Sequence, residues 1–189
     1  MKRLAVYCGS HSGTDPAFAE AAKALGTTMA ARGIELVYGG GRLGLMGVIA
    51  DAVLAAGGQA HGVIPEALIE YEVAHTGLTS LHVVGSLHQR KAKMTELTDA
   101  FVALPGGIGT LDELFEAWSW NALGYHAKPF ALLNVAGFWD ELIAFLDTAT
   151  TCGFMTGQRR AQIIVHREID LLLDALAAAA REARRKMTW

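Results

Sequence analysis

Ala100-Phe101-Val102-Ala103-Leu104-Pro105-Gly106-Gly107-Ile108-Gly109-Thr110-Leu111-Asp112-Glu113 passes from an unbroken apolar run, through a turn with three glycines, into an amphipathic segment. A short apolar run bounded in this way reads as a strand buried on both faces, and a strand leading through glycines into a helix is the unit of a parallel α/β sheet. The junction also suits an anion. Backbone N–H groups freed by Gly106, Gly107 and Gly109, the Thr110 hydroxyl and the positive end of a helix dipole can surround one phosphate without any cationic side chain. Glu113 places a carboxylate one turn into the helix. The same residues have a plainer use, because Thr110-x-x-Glu113 fits a capping box that satisfies the helix's own N–H groups.

A second cluster of the same design, Gly39-Gly40-Gly41-Arg42-Leu43-Gly44-Leu45-Met46-Gly47, again separates a strand from a helix. Two such loops in one chain of 189 residues are hard to ascribe to turn geometry alone. Outward from them, apolar runs alternate with segments of helical period. Strands are predicted at about 3–8, 34–38, 59–64, 80–84, 100–104, 130–134 and 162–165, and helices at about 15–32, 44–57, 86–97, 109–123, 139–151 and 168–185. The fold class is therefore α/β, a Rossmann-like, doubly wound, mostly parallel sheet of about seven strands with helices on both faces. Residues 1–189 read as one domain. Ligands of such sheets bind beyond the carboxyl ends of the strands, where Cys8-Gly9-Ser10-His11, the loop containing Gly41, and Pro105–Thr110 would all open. Residues 65–79 read as an ordered excursion over the sheet edge or a mobile flap.

Composition narrows the partners. A formal net charge of −3 offers no basic face for nucleic acid. The alanine-rich stretch 171–180 is too short to span a bilayer, and the chain enters a strand directly at its start, so no membrane association and a cytoplasmic location are expected. Cys8 and Cys152 have neither disulfide nor metal-site spacing, so no metal is expected.

The segment Ser86-Leu87-His88-Gln89-Arg90-Lys91-Ala92-Lys93 carries a third signal. Ser86 and Gln89 can cap a helix, yet His88, Arg90, Lys91 and Lys93 crowd positive charge into its first two turns, against the dipole. A solvated basic face would explain the charges; a phosphate or a partner carboxylate would explain their position.

Four stretches together, Val37 to Gly47, His88-Gln89-Arg90-Lys91, Leu104 to Glu113 and Leu123-Gly124-Tyr125-His126-Ala127-Lys128-Pro129, resemble the LONELY GUY family of cytokinin riboside 5′-monophosphate phosphoribohydrolases. The likeness runs from Val6-Tyr7-Cys8-Gly9-Ser10 to Gly153-Phe154. It implies that Gly106, Gly107, Gly109 and Thr110 hold a nucleotide 5′-phosphate, that Arg90 and Glu113 are the catalytic pair, and that Lys91 contacts the ligand. It also implies a homo-oligomer, with a homodimer expected, and a small-molecule nucleotide as the partner. Leu87 stands where the family usually has Met, and Ala122 where Gln is common. Such sequences were once labelled lysine decarboxylases, but no lysine here comes with the residues that would hold pyridoxal phosphate, and no cofactor is expected.

The implied chemistry is hydrolysis of an N-glycosidic bond through an oxocarbenium-like sugar, which a carboxylate can stabilise or attack with an activated water. Close to a helix N-terminus and to Arg90, Glu113 is expected to stay ionised at neutral pH, as a base or stabiliser and not a general acid. Ser10, His88 and water are candidates for protonating the departing base. Two other classes are open: a nucleotide-binding or carrier protein without turnover, which has no evident need of Arg90 with Glu113, and a dinucleotide oxidoreductase, suggested by Gly39-x-Gly41-x-x-Gly44. The latter follows the second strand and lacks a firm acidic partner for a ribose. Neither glycine loop ends in the Gly-Lys-Ser/Thr of a P-loop kinase. Trp118 and Trp120, with Phe115, Leu114 and Leu123, read as core first and subunit interface second.

Overall fold

The computed structural model describes residues 1–186. Seven strands, β1 (Arg3–Tyr7), β2 (Glu35–Tyr38), β3 (Ala60–Pro65), β4 (Ser80–Val84), β5 (Ala100–Ala103), β6 (Phe130–Leu133) and β7 (Ile163–His166), form one sheet in the order β4-β3-β2-β1-β5-β6-β7. Each neighbouring pair is parallel. The helices are α1 (Pro16–Ala31), α2 (Gly44–Ala55), α3 (Leu87–Leu97), α4 (Ile108–Ala122), α5 (Asp140–Thr151), α6 (Gly157–Arg160) and α7 (Ile169–Lys186). All seven predicted strands and six predicted helices are present within a few residues of their expected ends. The short α6, started by the Thr156 hydroxyl accepting from Arg159 N–H, was below the length at which periodicity is readable.

Alternation along the strands divides the apolar residues between two cores. Leu4 and Val6 of β1 face Leu25, Met29, Ile49, Val53 and Leu176 from α1, α2 and α7. Ala5 and Tyr7 face Met94, Leu114, Trp118 and Leu146 from α3, α4 and α5. Trp118 is thus a core residue, tilted against Phe130, as the helix pattern predicts. Burial on both faces explains why the strands read as continuous apolar runs.

Strand order reverses between β1 and β5, so the chain leaves these two strands for helices on opposite faces of the sheet and a crevice opens at their carboxyl ends. The opposite end of the pair is tied by Asp99, whose Oδ2 accepts from the backbone N–H groups of Lys2 (2.5 Å) and Arg3 (3.0 Å) and whose Oδ1 accepts from Arg184 (2.5 Å). Arg184 therefore has a partner in the fold as well as a favourable place near a helix end.

The excursion after β3 is ordered. A 3₁₀ turn at Glu66–Leu68 opens it, Ala74 bridges to Gly41, and His75 N–H donates to the Gly40 carbonyl at 2.9 Å. Among the described residues no helix is long and apolar enough to cross a membrane.

The Asp99 carboxyl lies below its usual range because backbone hydrogen bonds from Arg3 and Lys2 and the Arg184 charge outweigh the opposing effect of burial. Its stabilising effect is present above the unfolded-state pKa and is lost as pH falls through the folded value. Asp99→Ala should lower stability by about 2 kcal/mol at neutral pH. Urea denaturation should show the deficit against the parent protein shrinking in acid; an equal deficit throughout would mean that the carboxylate is not the tie.

Candidate active site

The crevice is a cleft of about 630 Å³, bounded by the loops after β1 and β5, the first turn of α3, the start of α2 and the excursion after β3. Leu87, Arg90 and Lys91 of α3 face it, with Met94 one turn further on in the core. That is an i, i+3, i+4, i+7 stripe, so the two cations share the inward face of the helix. His88 falls off the stripe and is exposed outside the cleft, which removes it from the expected site.

Arg90 is 5% exposed and lies between two carboxylates. Its Nη1 donates to both Glu72 oxygens at 3.2 Å, and Nη2 stands 3.7 Å from Glu113 Oε1. Its Nε is buried without a hydrogen-bond partner among the described residues. Lys91 Nζ donates to Asp112 (2.9 Å) and Glu116 (2.7 Å) of α4. Burial works against its ammonium, but these two hydrogen bonds outweigh it and the pKa is raised. The positive charge that opposes the α3 dipole is therefore met by carboxylates of the same chain.

The loop after β5 presents bare backbone. The N-cap of α4 is Gly107, and no side chain caps this end. Thr110 is consequently in the first turn, buried against Gly106, and the predicted Thr-Glu capping box does not form. A Cβ on Gly106 would overlap the Thr110 hydroxyl and crowd Gly9 N, so glycine there lets the β1 and β5 loops meet. Gly107 and Gly109 have open space where a Cβ would point, and both line the cleft with Gly106 and Thr110. Ser10 lines it as well, from the β1 loop. Uncapped N–H groups at a helix start beside open space are the kind of donors that can receive an anion.

The second glycine cluster is built for close packing and does not line the cleft with its glycines. A Cβ on Gly39 would overlap the Arg90 guanidinium, so the absence of a side chain there makes the slot into which Arg90 fits. Gly41, expected in the site, is buried beneath Met46 and the Glu72 backbone and lies outside the cleft lining; its role is to let the excursion approach. What this segment adds to the cleft is apolar, Leu45 and Met46, which join Phe18 and Phe138 there.

Glu72 is the principal residue that sequence reasoning missed. It sits in a stretch without helix or strand period, two residues from the exposed Glu70, and nothing local distinguishes the two. Its presence changes Glu113. Burial raises the Glu113 pKa, Arg90 lowers it, and Glu72 and Asp112 raise it again, bringing it from 4.5 to about 7. The expectation of a fully ionised Glu113 is therefore corrected: one guanidinium is shared by two acids in a poorly solvated place, and near neutrality Glu113 can take or give a proton.

A parallel sheet with an uncapped, glycine-lined helix start at its switch point, next to an Arg–Glu pair, defines a nucleotide-type binding fold equipped for acid–base work. A family profile described as "Possible lysine decarboxylase" matches residues 46–176. A probable cytokinin riboside 5′-monophosphate phosphoribohydrolase of Oryza sativa subsp. japonica is 50% identical over 160 residues, covering 85% of this chain and 70% of that one. The cytokinin riboside 5′-monophosphate phosphoribohydrolase of Rhodococcoides fascians is 44% identical over 176 residues, 93% of this chain and 89% of its own. The chain belongs to this phosphoribohydrolase family, also called LONELY GUY. The molybdenum cofactor carrier protein of Chlamydomonas reinhardtii superposes with a TM-score of 0.71 over 94% of this chain and 96% of that one; at 22% identity the likeness is one of fold alone.

A carboxyl group whose folded pKa is raised destabilises the native state once it ionises. Glu113→Gln should therefore be more stable than the parent above pH 7 by up to about 3 kcal/mol, and the gain should vanish near pH 4.5, where both side chains are neutral. Thermal unfolding at several pH values checks this; a gain that does not depend on pH would refute the raised pKa.

Proposed function

We propose that this protein hydrolyses the N-glycosidic bond of adenine-type nucleoside 5′-monophosphates, cytokinin riboside 5′-monophosphate or AMP, to free base and ribose 5-phosphate. The observation that carries the reading is the Arg90–Glu113 pair standing in the same cleft as the uncapped start of α4. The phosphate takes the backbone N–H groups of the Gly106–Gly109 turn and the Thr110 hydroxyl, which sets C1′ of the ribose toward Glu113. As the C1′–N bond breaks, its electron pair leaves with the base, and the ionised Glu113 stabilises the cationic sugar and takes a proton from the attacking water. Arg90, lining the cleft, orients the phosphoribosyl half and holds Glu113.

Of the two side chains considered for protonating the base, Ser10 alone lines the cleft. Phe18, Leu45, Met46 and Phe138 form an apolar wall that suits the purine and an apolar substituent on it. Lys91, the lysine of the cleft, is held as an ammonium by two carboxylates and is a poor amine nucleophile, which argues against the decarboxylase label.

The quaternary state belongs to the same proposal. Exposed Leu123 and Tyr125, following α4, and a small apolar pocket among Phe115, Trp118, Ala122 and Met155 favour a homodimer through this side.

Release of base and ribose 5-phosphate from AMP and isopentenyladenosine monophosphate tests the activity, and the corresponding nucleosides should be nearly inert. Equal rates with adenosine would remove the phosphate seat from the reading. Glu113→Gln should lose at least about a hundredfold in kcat while still binding nucleotide. Arg90→Lys should lose at least tenfold in kcat/KM, about 1.4 kcal/mol, because an ammonium cannot address two carboxylates and a ligand through a planar fork.

A further inference from the structure

The strap over residues 66–77 brings Leu68, Tyr71 and Glu72 to the cleft. Its backbone is tied to the second glycine cluster by Arg42 N–H donating to the carbonyls of Glu72 (3.2 Å) and Val73 (2.9 Å), and by His75 N–H donating to that of Gly40. Val73 turns it with a φ of 50°, a left-handed conformation costly for a β-branched residue. A strap turned through such a residue needs a firm anchor on the far side of the turn.

His75 provides one. It is 6% exposed and lies outside the cleft, so it cannot act on a ligand directly. Its Nδ1 accepts from Gly77 N–H at 3.0 Å, which places the ring proton on Nε2, and Nε2 lies 3.0 Å from Oδ1 of Asp51 on α2. The ring thus closes its own turn with one nitrogen and ties the strap to a neighbouring helix with the other. Three residues back along the same strap, Glu72 receives Arg90.

We propose that His75, paired with Asp51, is a positioning residue for the reaction: it latches the strap to α2 so that Glu72 stays against Arg90 and the guanidinium is kept in its working orientation. This rests on the function proposed above. If the latch opens, Arg90 loses the acid that accepts both hydrogen bonds from Nη1 and retains only the 3.7 Å contact with Glu113. The neutral imidazole is required for its two-sided bonding, as donor at Nε2 and acceptor at Nδ1, and no charge on it is invoked.

The two functions of the ring can be separated. Asn places an oxygen near the position of Nδ1 and keeps the turn to Gly77, whereas Gln places an amide N–H near Nε2 and keeps the reach to Asp51. In hydrogen exchange on the full chain, the amides of Glu72, Ala74 and His75 should exchange about fivefold faster or more in His75→Asn and return close to the parent rate in His75→Gln. AMP hydrolysis should follow the same order, with kcat/KM reduced about fivefold in His75→Asn and recovered in His75→Gln. Because His75 acts through Glu72, adding His75→Asn to Glu72→Gln should bring no further loss, whereas a general loss of stability would multiply with it. Unchanged strap exchange in His75→Asn, or losses that multiply in the double variant, would overturn the latch. If the parent releases no base from any nucleotide, the proposed activity fails, and the exchange measurement still decides whether the latch exists.

Discussion

A guanidinium buried between two carboxylates is the constraint around which the cleft is organised. Placing Arg90 out of water is unfavourable unless its donors are matched, and removing Glu72, which accepts both hydrogen bonds from Nη1, would leave the charge poorly compensated in a low-dielectric place. Glu72 takes the closer share and Glu113 the longer contact. Burial raises the Glu113 pKa most, and the nearby charges of Glu72 and Asp112 add to it against the pull of Arg90. The carboxyl group near neutrality is thus a consequence of burial first and of the neighbouring charges second.

Around that triad the backbone is cleared on two sides. Gly39 leaves the slot into which the guanidinium fits, and Gly106 lets the β1 and β5 loops close upon Thr110. Neither position tolerates a Cβ without moving a functional group, so these glycines serve geometry more than flexibility. The glycine-lined start of α4 and the Arg–Glu pair then lie side by side for a topological reason: both open where the order of parallel strands reverses, and α3 and α4 flank the same crevice. Lys91, bridging to Asp112 and Glu116, fastens those two helices to one another at the edge of the cleft.

The site is also costly to the fold. An uncapped helix start, a partly unpaired guanidinium and a carboxyl group pushed toward neutrality each leave favourable interactions unmade in the protein itself. Such local deficits gather where a ligand is to be met, because a ligand can complete them. The two apolar cores and the Asp99 tie at the opposite end of β1 and β5 supply the compensating stability.

By itself the sequence determined the seven strands, the alternation with helices and the glycine turn after β5, because burial on two sheet faces and helical periodicity are local patterns written in consecutive residues. Through the resemblance of their motifs it also pointed to Arg90, Lys91 and Glu113 together, whereas His88, expected in the site, lies off the stripe that Arg90 and Lys91 share with Leu87 and Met94 and is exposed outside the cleft. Only the tertiary structure decided that the Gly39–Gly47 loop is a packing device and that Gly41 is covered, since both depend on what approaches from Arg90, Met46 and the strap. Glu72 could not be told from Glu70 in the chain, for its meaning comes from a turn at Val73 and an anchor at His75, and has no period to announce it. The protonation of Glu113 was misjudged from sequence for the same reason: a pKa is set by the sum of burial and every nearby charge, and the second carboxylate arrives from a segment 41 residues away, since 113 − 72 = 41.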